Sequence, residues 1–435
     1  MNLLSRLRQI VMVSGVESFS VGVAGITGLL IVNVMPKDQY AVYTFLITCL
    51  QLIMGITDLG LSKCPLPIVG QRSSEVHWVM GVCGQVFRRR TLMLIVSFAV
   101  VIPYGIYTFI QHQWLLWAYA WAALMVVASV LASLRGSFAG TVLVILGQVS
   151  AISRITFFVT ASRFLMVGAV LLLPLTPYSI AFLLCATVVS ELFAIVLYRR
   201  EFKARKIEET RLSATEEKQI DGQILKIVVP LIPSAIFFQV QGAITIFLAS
   251  LFGTATTVAE IGAFGRLALA LAIVDRVGAI LLFPVIARAP AGKRLVSLIA
   301  KVHLAYLGAL FLLLVTAVFL PQYWIILLGA KYQNMVPYVW MLFLSTILMN
   351  GAGFAFMTLA VRGFTEKQAY AVIFVILLQC AFLWRFGAGT LPMILWFNIV
   401  TCAAHFVYQY ILLFLKWPDL KKEPEPEPEL ECSTP

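Results

Sequence analysis

The sequence has 435 residues, of which 61% are apolar and only 12% charged, with a formal net charge of +12 and a mean hydropathy of +0.95. Soluble globular domains run at about 45–50% apolar and about 25% charged, so this composition excludes a water-soluble domain. The solvent of such a chain is lipid.

A helix needs about 20 apolar residues to cross the hydrocarbon, whereas barrel strands alternate over about 10. The apolar runs here are long and do not alternate, and lipid offers backbone groups no water, so the runs are predicted to be helices. The first, 10–34, follows Arg6 and Arg8 as in a signal peptide but shows no small-residue cleavage pattern, and is expected to stay as a span. Five more follow at 40–61, 91–111, 114–134, 154–174 and 178–198, then six at 224–252, 258–283, 295–320, 337–360, 368–387 and 391–415. The stretch 135–153 is apolar enough to extend a neighbouring span or to lie in the interface. A span there would invert everything downstream. The expected fold class is all-α integral membrane, about 12 transmembrane helices in two six-helix lobes around a central cavity.

Positively charged loops stay in the cytoplasm. With the N-terminus inside, the even-numbered connections carry Lys63, Arg72, Arg88, Arg89, Arg90, Arg135, Arg154, Arg288, Lys293, Arg294, Arg362 and Lys367, plus the basic run from Arg199 to Lys226. The odd-numbered connections hold little beyond Lys37 and Lys331, so both termini are expected in the cytoplasm. The net charge is then mainly this orientation signal, with attraction to anionic headgroups of membrane lipids as a secondary effect, and it does not indicate nucleic acid.

The segment 199–222 is the only long charge-dense internal stretch and divides the spans six and six. The chain is therefore expected to comprise an N-terminal lobe (1–198), a cytoplasmic amphipathic or flexible linker (199–222), a C-terminal lobe (223–415) and a disordered Glu-Pro tail (416–435). An even number of spans per half makes any duplication a parallel repeat. Tyr40-Ala41-Val42-Tyr43 and Ile261-Gly262-Ala263-Phe264, each opening the second span of its half, echo one another faintly.

A charge at the centre of a span costs about 2.5–3.5 kcal/mol, so an intramembrane ionisable group is a functional candidate. Those found are Glu17, Asp58, Arg163, Glu191, Glu260, Arg266, Asp275 and Arg276. Arg266 and Arg276 are ten positions apart, about 80° around one helix and ~15 Å along it, so both can line one cavity. Guanidinium stays charged and grips phosphate with two hydrogen bonds, so Arg266, Arg276 and Arg163 are the candidate holders of an anionic substrate. Glu17 and Asp58 are candidates to carry a coupling H+ or Na+, while Glu191, Asp275 and Glu260 are expected in structural ion pairs. Pro230, Pro233, Gly242 and Gly25 are candidate hinges. Seven singly placed cysteines and four isolated histidines give no metal or disulfide pattern, and no cofactor is expected.

Three short motifs point further. Met35-Pro36-Lys37-Asp38-Gln39-Tyr40-Ala41-Val42-Tyr43, running on to Asp58-Leu59-Gly60, resembles the start of the polysaccharide transport family, with Ala41 where that family usually has Gly. Glu260-Ile261-Gly262-Ala263-Phe264 and Leu328-Gly329-Ala330-Lys331-Tyr332 resemble its later elements. The resemblance implies two six-helix lobes in a bacterial inner membrane and a flippase for undecaprenyl-diphosphate-linked oligosaccharide, serving O-antigen, capsule or exopolysaccharide synthesis alongside polysaccharide polymerase and glycosyltransferases. It implies no covalent chemistry, hence no enzyme. Two alternatives stand beside it: a multidrug or cation antiporter of the same architecture, whose cavity should be rich in carboxylates and aromatics, and a membrane glycosyltransferase or polymerase, which should carry a sizeable outer loop.

Overall fold

The computed structural model describes residues 3–208, 212–268, 292–360, 364 and 367–421. Among them every regular element is helical. In order these are α1 (Leu3–Val34), α2 (Lys37–Asp58), α3 (Pro65–Val69), α4 (Val76–Gln111), α5 (Leu116–Ile145), α6 (Val149–Leu171), α7 (Ser179–Ala204), α8 (Ala214–Val228) and α9 (Ile232–Phe252). They continue with α10 (255–268), α11 (Lys293–Phe319), α12 (Pro321–Ile326), α13 (Val339–Ala360), α14 (Gln368–Phe386) and α15 (Leu391–Lys421).

Among the described residues nine helices are long and apolar enough to cross a membrane, with two shorter apolar stretches at Ser18–Val34 and Tyr370–Phe386. The span expected at 258–283 is described only as far as 268. Large apolar side chains face outward along these helices, with Trp384 at 90% and Leu172 at 89% exposure. In water that surface would aggregate, and in lipid it is the solvated face. The chain is a multi-pass membrane protein.

Local chemistry corrects several expected boundaries. The stretch 135–153 is no extra span: α5 runs through to Ile145, Gly147 takes the turn at φ +71°, and α6 begins at Val149. Span seven is not one helix from 224 to 252. Pro230 lacks an N–H and crowds the preceding turn, so a 3-10 turn at Val229–Leu231 parts α8 from α9. The linker is largely ordered: α7 extends to Ala204, and α8 opens on a capping box in which Ser213 and Glu216 bond reciprocally. Its Ile220, Ile224 and Val228 recur every fourth residue and bury against Val79, Val82 and Val86 of α4. On the flank, Arg89 grips Asp221 at 2.6 Å and Arg88 reaches Glu217 at 3.8 Å. The tail begins later than 416, because α15 continues to Lys421; residues 422–435 lie outside those described.

Contacts divide the chain into two units whose limits differ from the six-and-six reading. The first comprises 1–273, 325–334 and 388–394, and the second 274–324, 335–387 and 395–435. In the first, α5 packs along α7, α1 along α6, and α2 against α4, α5 and α9. The C-terminal end of α4 is tied to α9, where the Gln111 amide donates to the Leu251 carbonyl at 2.7 Å. The second unit is centred on α11, α13 and α15, joined by Leu295 and Ile299, Phe354 and Leu359, and Leu412 and Leu420.

Candidate functional site: a cavity around Glu191

A cavity of about 680 Å³ lies within the first unit between α5, α6, α7 and the connection 62–66. The sequence builds it from stripes of small and hydroxyl residues. On α7, Glu191, Ala194 and Tyr198 recur at helical spacing and share one face. On α5 the lining includes Gly136, Ser137, Gly140 and Thr141 with the apolar Val144 and Ile145 beyond them, and on α6 Thr156 and Thr160 alternate with Ile155 and Val159. Bare backbone at the two glycines leaves room, since a Cβ at Gly136 would stand 3.6 Å from a Glu191 carboxylate oxygen and one at Gly140 3.5 Å from the Tyr198 hydroxyl.

Glu191 accepts a hydrogen bond from the Ser133 hydroxyl and feels the charge of Arg163. No Lys, Arg or His among the described residues lies within the 4.0 Å of an ion pair to it. Arg163 in turn has a buried Nε without a hydrogen-bond partner. Glu191, expected in a structural ion pair, therefore forms none among the described residues, and the carboxylate lines the cavity. Lys63, the single cation of the lining, is exposed.

The other candidates lie elsewhere. Arg266, on α10, is not part of this lining: its Nε donates to the Tyr40 hydroxyl at 3.4 Å, and its stem fills a notch over Gly28, where a Cβ would meet Arg266 Cδ at 2.8 Å. Among the described residues no carboxylate lies within 4.0 Å of its guanidinium. Glu260 is closed off in a cluster. It lies 3.4 Å from Lys37 Nζ and accepts from the Asn334 amide at 2.6 Å, while Lys37 also donates to Asn334 at 3.2 Å and sits 5.0 Å above the Tyr332 ring. Lys331 ties the same region to α1 by donating to the carbonyls of Asn33 and Met35. Gly262 permits the close approach of α10 to α2, since a Cβ there would fall 2.5 Å from Thr44 Cγ2. The three motifs, 35–43, 260–264 and 328–332, thus meet in one place.

Asp58, the other coupling-ion candidate, is engaged within its own turn. Its carboxylate accepts from the Ser62 N–H at 3.1 Å and the Ser62 hydroxyl at 2.9 Å, closing the turn in which Gly60 takes φ +89°, and Arg90 Nε stands 3.5 Å away. Glu17 sits on α1, but its side chain lies outside the described residues, as do Arg276 and Asp275 altogether. Of the hinge candidates, Pro230 lies in the α8–α9 break and Pro233 in the first turn of α9, whereas α1 runs unbroken past Gly25 and α9 past Gly242. Sequence reasoning missed Tyr198, Lys63 and the hydroxyl lining. The signal was available as the Gly136, Gly140 and Glu191, Tyr198 spacings, but nothing in one helix shows which other helix it faces.

No family model matches the sequence, and no curated protein matches it. Solved structures do. One is an inward-facing multidrug resistance MATE family transporter of the MOP superfamily, at 15% identity and a TM-score of 0.69, covering 93% of this chain and 96% of that one. An outward-facing MATE family transporter of the same superfamily matches at 13% and 0.55, covering 95% and 96%. A MOP superfamily transporter from Pyrococcus furiosus, described as having a binding pocket of reverse polarity that suggests a different function, matches at 13% and 0.56, again covering 95% and 96%. The chain has the fold of these transporters. The polysaccharide branch suggested by the motifs is not shown by that likeness.

Proposed function

We propose that this chain is a secondary transporter working by alternating access, and that its cargo is an organic cation exported against H+ or Na+. The observation that carries the reading is the Glu191 carboxylate, set in a cavity of about 680 Å³ beside the Tyr198 ring and without a protein cation at ion-pair distance among the described residues. A carboxylate so placed offers one charge that a cation and a proton can occupy in turn, and alternation follows when the two lobe arrangements bind them with different affinity. The fold shared with multidrug resistance transporters supports the same class. The test is efflux of a cationic dye from energised vesicles. The reading predicts proton-gradient-dependent efflux that Glu191→Gln removes, and undiminished efflux in that variant would sink it.

The second reading is the flippase for undecaprenyl-diphosphate-linked oligosaccharide in a bacterial inner membrane, with both termini cytoplasmic. It is favoured by Arg266, which has no carboxylate partner among the described residues, and by the meeting of the three motifs. The Pyrococcus furiosus structure is described as reversing pocket polarity within this fold, so an anionic cargo is compatible with it. Here Arg266→Ala abolishes complementation of a flippase-deficient strain at normal protein level, while Glu191→Gln leaves complementation intact.

A further inference from the structure

A second hollow, of about 640 Å³, lies in the first unit between α4, α5 and α7, on a different face of α5 from the Glu191 cavity. It is lined by two arginines, Arg135 and Arg199, and by the rings of Phe87, Phe138, Tyr198 and Phe202. Arg199 is the first residue beyond the apolar run of α7, and Arg135 stands on α5 ten residues before its end at Ile145. Phe138 and Phe202 follow the two arginines by three residues, ~4.5 Å along each helix, and Ile195 precedes Arg199 by four.

Several neighbouring arginines are ion-paired: Arg88 with Glu217, Arg89 with Asp221, and Arg154 and Arg205 with the one carboxylate of Glu201, whereas Arg200 has no such pair among the described residues but does not line the hollow. Arg135 and Arg199 are exposed and have no carboxylate within 4.0 Å among the described residues. Two unpaired guanidiniums beside an apolar wall of aromatic rings and Ile195 match an anion that carries acyl chains. Guanidinium binds a phosphate through paired hydrogen bonds, and basic pockets between spanning helices collect anionic headgroups.

We propose that the Arg135–Arg199 hollow binds an anionic phospholipid, its phosphate between the two guanidiniums and its chains leaving past Ile195. The site is independent of the transport reading and of which cargo is carried.

The experiment is a titration of the purified protein in detergent with phosphatidylglycerol, phosphatidylcholine, glycerol 3-phosphate and inorganic phosphate, read by native mass spectrometry for bound lipid and by melting temperature. Phosphatidylglycerol is expected to be retained and to raise the melting temperature, with an apparent Kd at least about tenfold weaker in Arg135→Gln/Arg199→Gln. The charge-conserving Arg135→Lys/Arg199→Lys retains most of the effect, and Arg200→Gln, which does not line the hollow, retains all of it. The Lys variant also separates loss of the site from loss of the fold. Equal retention of phosphatidylcholine, an undiminished phosphatidylglycerol effect in the Gln variant, or the same shift from inorganic phosphate alone would each overturn the proposal.

Discussion

Two carboxylates in the first unit, Glu260 and Glu191, looked interchangeable as charges in greasy helices and have opposite surroundings. Glu260 is 5% exposed and held by Lys37 and Asn334, with Tyr332 beneath the ammonium. Glu191 has one serine hydroxyl, an arginine beyond ion-pair range and a cavity in front of it. The first arrangement spends its charge on holding helices together and the second keeps its charge available. Burial does not separate structural from functional charges in a membrane protein; whether the partners are already inside the protein does.

The comparison predicts opposite failures. Removing one partner of a buried pair leaves the other charge uncompensated, at a cost of about 3–5 kcal/mol when both are fully buried. Because Lys37 is 24% exposed, Glu260→Ala is expected to cost about 2–4 kcal/mol, seen as a large fall in melting temperature in detergent. A melt unchanged by Glu260→Ala would move Glu260 into the class of Glu191. Gly262→Val attacks the same region without touching charge. Its side chain would collide with the short, stiff Thr44, and overpacking of this kind costs about 1–3 kcal/mol.

Glu191→Gln should do the reverse. The amide still accepts from Ser133 and loses no ion pair, so the melting temperature should hold while dye efflux falls at least about tenfold, equivalent to about 1.4 kcal/mol. Loss of both together would show that Glu191 is as structural as Glu260.

The spans were legible because a crossing helix needs some twenty apolar residues and lipid forbids the alternatives. The break at Pro230 was legible because proline acts through its own ring. The contrast between the two carboxylates was not. Lys37 and Glu260 are 223 positions apart, and the Glu191 cavity draws on three helices and a connection, so neither environment exists until the chain has folded. Arg266 was legible as a charge in an apolar run, but its tie to Tyr40 and its seat over Gly28 depend on α1 and α2 meeting α10. The surroundings of Asp58 have a local cause: the Gly60 turn folds Ser62 back onto it.

The smallest predicted effect supplies the control that the comparison needs. Ser213→Ala removes the hydroxyl that caps α8, worth about 1 kcal/mol, and touches neither carboxylate. The Ser213 hydroxyl and amide hold Glu216 below the usual carboxylate range, so the folded state favours its charged form. That contribution is complete above the ordinary glutamate pKa and is lost as pH falls through the depressed one. Faster hydrogen exchange across α8 in Ser213→Ala, with the difference from wild type shrinking in acid, is the expected readout. If transport falls in this variant as far as in Glu191→Gln, then a loss of stability alone moves transport, and the Glu191 effect says nothing about charge. If transport holds while α8 loosens, the tenfold loss at Glu191 belongs to the carboxylate.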